Sequence, residues 1–98
     1  MKFNTKVIHG GQHHDPSTGA VMPPVYQTST FVQTSPGQPL NPDYEYSRAA
    51  NPTRSALANA LARIETGTRG LASSSGLAAT DRVLRSLKSG DAIIAMAD

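Results

Sequence analysis

Residues 69–96, RGLASSSGLAATDRVLRSLKSGDAIIAM, decide the fold class of this chain. They read as strand, turn, helix, turn and strand. Thr68 to Ser73 has the length of a short strand, and Ser73-Ser74-Ser75-Gly76 is a turn of small residues. Leu77 to Leu87 predicts a helix with Leu77, Thr80, Leu84 and Leu87 on one face. Lys88-Ser89-Gly90-Asp91 stops it. Ala92-Ile93-Ile94-Ala95-Met96 is an unbroken apolar run, the pattern of a parallel strand covered on both faces. Such a strand–helix–strand unit is right-handed. Two strands alone cannot shield a sheet, so an α/β domain is expected whose further strands lie beyond Asp98.

Just upstream, Asn51-Pro52-Thr53-Arg54 predicts a helix start, with Asn as N-cap and Pro at the first helical position. The helix is expected to run to about Glu65, with Leu57, Leu61 and Ile64 as its apolar stripe and Gly67 as its end. Residues 52–98 therefore form one region. Residues 1–51 form another, an extended arm. The first 54 residues hold all seven prolines, and hydrophobic content over the whole chain is only 38%. A segment of that composition builds no core of its own and needs other surfaces to lie on.

Within the arm, Phe3, Val7 and Ile8 anchor a short strand or first helical turn, which Gly10-Gly11 breaks. His13 to Gly19 is turn chemistry, Val25 to Phe31 is extended, and Ser35 to Pro42 is a second loop. Asp43 to Arg48 is extended again. There Tyr46 and Arg48, at i and i+2, point the same way. Together they can grip a phosphate or carboxylate, because guanidinium offers a planar fork of donors and the phenol adds another. The same two residues also suit an ordinary polar loop.

The turn at 73–77 offers a second anion site. A helix start presents unpaired amides and the positive end of its dipole, and Gly76 lets a ligand approach closely. A plain Ser-rich helix cap fits the same letters. The turn matches neither nucleotide nor dinucleotide glycine patterns.

Net charge is +2, with charges dispersed, which gives no footprint for nucleic acid. There is no cysteine, and His9, His13 and His14 lack metal-ligand spacing, so no metal site is expected. No apolar run approaches signal-peptide or membrane-span length, and a cytoplasmic protein without membrane contact is the default.

Five stretches taken together resemble the Cys/Met-metabolism family of pyridoxal-phosphate (PLP) enzymes. They are Thr5–Gly11, Pro24–Phe31, Tyr44–Arg48 with Asn51–Arg54, Ser75–Thr80 and Gly90–Met96. The resemblance implies the N-terminal arm and the start of an aspartate-aminotransferase-like (type I) PLP domain. It implies that Tyr46 and Arg48 bind the PLP phosphate of a neighbouring subunit, and that Gly76 and Leu77 bind it within their own. Glu45 would meet the distal amino group of the substrate. The implied reaction is γ-replacement or γ-elimination in transsulfuration, forming cystathionine from O-acyl-homoserine and cysteine or cleaving it. A cystathionine β-lyase, a methionine γ-lyase and an O-acetylhomoserine sulfhydrylase are the alternatives, and a non-catalytic phosphate-binding or oligomerisation module is another. A homotetramer, built as a dimer of dimers, is implied as well. The Schiff-base lysine is expected beyond residue 98, so these 98 residues alone should be inactive. Ser73-Ser74, Arg82 and Ala97-Asp98 depart from the family pattern.

Overall fold

The computed structural model describes residues 1–96. In chain order it contains α1 (Phe3–His9), β1 (Gln33–Ser35), β2 (Gln38–Pro39), α2 (Pro52–Ile64) and α3 (Gly76–Leu84). The radius of gyration is 17.2 Å, against about 13 Å for a compact domain of this length. The chain is spread out, and its apolar side chains are correspondingly exposed.

At the N-terminus the helical alternative forms rather than the strand. Lys2 stands at the N-cap of α1 without a side-chain cap bond, and Gly10 closes the helix through its N–H to the Lys6 carbonyl at 2.7 Å. Gly10-Gly11 does more than break α1. Gly11 has φ +70°, and a Cβ there would fall 2.5 Å from the Asn59 carbonyl on α2. The glycine pair lets α1 lie against the α2 backbone.

The loop that follows closes on Asp15. Its carboxylate accepts from the Ser17 hydroxyl at 2.7 Å and from the Thr18 hydroxyl. Those bonds, Thr18 first and Ser17 second, hold the Asp15 carboxyl below its ordinary value.

Residues 29–47 fold into a small antiparallel arrangement. The Phe31 N–H donates to the Glu45 carbonyl at 3.1 Å, the Ser47 N–H donates to the Ser29 carbonyl at 2.7 Å, and Thr30 bridges Tyr46. The Phe31 and Tyr44 rings pack with centroids 5.7 Å apart. Part of the stretch expected to be a plain loop at 35–42 is a hairpin. β1 and β2 pair Gln33 with Pro39 and Ser35 with Gln38, and Gly37 supplies φ +75° at the tip.

α2 starts as its sequence predicts. Asn51 is the N-cap, its Oδ1 accepts from the Thr53 N–H at 2.9 Å, and Pro52 follows at the first helical position. Its end differs by one residue. Thr66, not Gly67, takes the left-handed conformation (φ 57°), and the Gly67 N–H then reaches the Ala62 carbonyl at 2.8 Å.

The packed face of α2 also differs from expectation. Leu57 is 56% exposed and Leu61 49%, whereas Ala62 is buried. Backbone approach sets this preference. Gly70 lies so close to Ala58 that a Cβ would meet its carbonyl, and Gly11 lies against Asn59. Only the small-residue side of α2 admits those contacts; the two leucines stay about half exposed, and Ile64, the third residue of the expected stripe, is half-buried.

The expected strand–helix–strand unit is represented by its helix. Neither 69–73 nor 92–96 is a strand among the described residues. A strand exists only through hydrogen bonds to a neighbour, and neither segment has one. Ile94 and Met96 are fully or almost fully exposed. The helix runs from Gly76 to Leu84 rather than from 77 to 87. Ser75 caps its start, and single turns at Ser86 and Leu87 replace its last residues. The departure at Ala97-Asp98 lies outside the described residues.

Candidate functional site

Tyr46 and Arg48 meet. Arg48 Nη2 lies 3.5 Å from the Tyr46 hydroxyl, and the guanidinium carbon stands 5.4 Å from the ring centroid, a cation–π distance. The reason is not strand alternation. Tyr46 is the last bridged residue, and the chain then turns, with the N–H groups of Ala49 and Ala50 both donating to the Tyr46 carbonyl. The turn brings the two side chains together and leaves both partly exposed, with donors free for an anion.

The start of α2 holds this turn. Asn51 Nδ2 donates to Ser47 Oγ at 2.8 Å and to the Tyr26 carbonyl at 3.1 Å. Ser47 Oγ donates in turn to the Thr28 carbonyl at 2.5 Å, and Thr53 Oγ1 accepts from the Tyr26 N–H at 2.8 Å. Arg54 donates through Nη1 to the Ser47 carbonyl at 3.0 Å and through Nη2 to the Arg48 carbonyl at 3.4 Å. Sequence reading took Asn51 to Arg54 as a helix start and as part of a family-like stretch, with no role in holding the turn. The additional roles were visible in residue type alone: Asn carries two amide protons besides its capping oxygen, and Arg carries five donors.

Glu45 accepts from Gln33 Nε2 at 3.2 Å on the exposed side of the hairpin. The turn at 73–77 has a different character. Ser75 Oγ accepts from the Ala78 N–H at 3.1 Å, and a Cβ on Gly76 would meet nothing within 4 Å. Leu77 is 80% exposed. Ser73 Oγ is buried and has no hydrogen-bond partner. Arg82, expected as a departure, donates through Nη1 to the Ala72 carbonyl at 3.2 Å and so braces the lead-in to this turn.

A cleft of about 880 Å³ connects the two places. Arg48 and Arg54 line one side, Ser73, Ser74 and Arg82 another, and Arg69 joins them, with Asp43 as the acidic residue in the lining. Its charge balance favours an anion. Glu45, Tyr46, Gly76 and Leu77 stand outside its wall, so the five expected anion-site and substrate residues do not converge on one cavity within a single chain. Among the described residues, no group of three or more His, Cys, Asp or Glu could hold a metal ion, and no helix is long and apolar enough to cross a membrane.

The features present fit a phosphate ester. Arg48 and Tyr46 offer a fork and a hydroxyl, Gly76 leaves open space over a helix start, and Ser73 has a hydroxyl in want of a partner.

Comparison with known proteins gives a consistent result. The profile of the Cys/Met metabolism PLP-dependent enzymes matches residues 4–98. A cystathionine beta-lyase of Coxiella burnetii is 50% identical over 96 residues, covering 98% of this chain and 24% of that protein. A cystathionine gamma-lyase of Bacillus subtilis is 48% identical over 94 residues, 96% of this chain and 24% of that protein. The crystal structure of metB from Corynebacterium glutamicum superposes with a TM-score of 0.82 at 42% identity, over 93% of this chain and 24% of that one. The chain thus spans about a quarter of the length of the relatives it matches.

Proposed function

The chain belongs to the Cys/Met-metabolism family of PLP-dependent enzymes, and from that premise we propose that it forms the N-terminal part of a transsulfuration enzyme. The reaction proposed is γ-replacement or γ-elimination, making cystathionine from O-acyl-homoserine and cysteine or cleaving it. The fold proposed for the whole is the aspartate-aminotransferase-like one. In it residues 1–51 reach a neighbouring subunit, and the segment from 52 onward begins the cofactor domain. There the segments at 69–73 and 92–96 would find the neighbours that make them strands. The enzyme is proposed to be a cytoplasmic homotetramer.

The observation that carries this reading is the paired Tyr46 hydroxyl and Arg48 guanidinium on a turn fixed by α2. Arg48 presents two parallel N–H groups to a phosphate dianion, and Tyr46 donates a third hydrogen bond. Arg48 lines the cleft of its own chain while Tyr46 stands outside it, and the pair is proposed to serve the cofactor of a neighbouring subunit. Within its own chain, the amides at Gly76 and Leu77 and the dipole of α3 would hold the other face of a phosphate. Glu45 would receive the distal ammonium of a cystathionine-type substrate, with Gln33 orienting its carboxylate. Bound PLP supplies the electron sink for chemistry at the amino-acid α-carbon. The lysine that attaches it is assigned to residues beyond 98. A cystathionine β-lyase is the second reading, favoured by the Coxiella relative.

Arg48→Ala in a full-length protein carrying this segment tests the reading. PLP affinity is expected to fall by roughly tenfold to a hundredfold, for loss of a charge-assisted bidentate contact. Undiminished PLP retention would overturn it. Product analysis with cystathionine, with O-acyl-homoserine plus cysteine, and with methionine separates the branches.

A further inference from the structure

The Arg48 side chain makes its recorded contacts with Tyr46 alone, at 3.5 Å to the hydroxyl and 5.4 Å to the ring centroid. Where its fork points is therefore set by the backbone of residues 46–48. That backbone is held by other residues. We propose that Asn51 and Arg54, on the first turn of α2, are positioning residues of the phosphate grip. The inference rests on the reading that Tyr46 and Arg48 hold a cofactor phosphate.

Asn51 is buried, at 9% exposure, and its oxygen and both amide protons are all engaged. Its oxygen caps α2 through the Thr53 N–H, and its two amide protons go to Ser47 Oγ and the Tyr26 carbonyl. One side chain thus joins the helix start, the turn and the arm segment at Tyr26. Ser47, between Tyr46 and Arg48, passes the restraint on to the Thr28 carbonyl. Arg54 adds a second hold, its two terminal nitrogens reaching the successive carbonyls of Ser47 and Arg48. A shift of about 1 Å in this turn would move the fork out of register with a phosphate, a displacement large enough to cost much of a binding or catalytic effect. Arg54 also adds positive charge near the grip, but its recorded bonds are to backbone carbonyls.

Two conservative variants isolate positioning from folding and charge. Asn51→Ser keeps a good N-cap and removes both amide donors. Arg54→Lys keeps the charge and cannot span two carbonyls with a planar fork. The measurement is the dissociation constant of PLP for the apo form of the full-length enzyme, with pyridoxal, which lacks the phosphate, as the comparison ligand. Each variant is expected to weaken PLP by roughly tenfold and pyridoxal by less than about twofold. Combined with Arg48→Ala, Asn51→Ser should add little further loss, because both act through one contact.

Unchanged PLP affinity in both variants, with Arg48→Ala still weakening it, would overturn the positioning role and leave the grip standing. Equal losses for PLP and pyridoxal would also overturn it, as general damage to the site. No effect of Arg48→Ala itself would overturn the grip and the positioning role together.

Discussion

The two long helices of this chain begin in the same way and end up in opposite surroundings. Asn51 caps α2 and Ser75 caps α3, each through one side-chain oxygen and one amide. Around Asn51 the arm folds back, so the helix start is roofed by Tyr26, Ser47 and Arg48 of the same chain. Around Ser75 and Gly76 there is open space. A capped helix start can serve as a structural anchor or as a ligand seat, and what lies in front of it decides which. The start of α2 is the anchored kind, and the open start of α3 is the one proposed as a seat.

The contrast can be broken most forcefully at Gly70. Gly70→Ala would drive a methyl into the Ala58 carbonyl on α2, and a loss of about 3 kcal/mol is expected on chemical denaturation of a full-length protein. A loss under about 0.5 kcal/mol would mean that the α2 side is no better packed than the α3 side. The two caps give the next largest difference. Asn51→Ala is expected to cost about 2–3 kcal/mol, cap and clamp together, and Ser75→Ala about 1 kcal/mol, the cap alone. Equal losses would erase the distinction between anchor and seat.

Gly76→Ala sharpens it from the other side. With nothing near the new methyl, stability should change by less than about 1 kcal/mol, while PLP affinity should fall measurably in a titration of the apo enzyme. The smallest effect concerns Asp15 in the arm, whose folded carboxyl titrates below its ordinary value of 3.8. Its contribution is fully present above that ordinary value and is lost as pH falls through the lower folded one. Amide exchange at Gly19 and Ala20, followed down the acid limb, would show the loop loosening there.

Local chemistry was legible in the sequence wherever one residue decides an outcome. Asn51-Pro52 fixed the start of α2 and Ser75 sits beside the expected start of α3, whereas Tyr46 and Arg48 meet through a turn and not through the extended spacing the sequence suggested. The misreadings of buried faces and strands come from surfaces the local sequence does not specify. The run at 92–96 carries the composition of a buried strand, yet no described neighbour pairs with it. Leu57 and Leu61 form a clear stripe, yet backbone approach at Gly11 and Gly70 selects the alanine side of α2. Periodicity reports which side chains prefer burial, not which surface is present to bury them. The tie between the arm and the start of α2 escaped notice because its bonds from Asn51 to Tyr26 and from Ser47 to Thr28 join residues 25 and 19 apart in sequence, and no local pattern encodes those.

That long-range contact also bears on how freely the arm can vary in length. Closing a loop with a sequence separation of 25 between Tyr26 and Asn51 costs about 3 kcal/mol of chain entropy, and the cost grows only with the logarithm of length. Ten residues added at the hairpin tip, beside Gly37, would raise it by about 0.3 kcal/mol. The tip is open, with nothing within 4 Å of a Cβ on Gly37. Within one chain, a short insertion at the β1–β2 tip is therefore expected to leave the closure between Tyr26 and Asn51 intact.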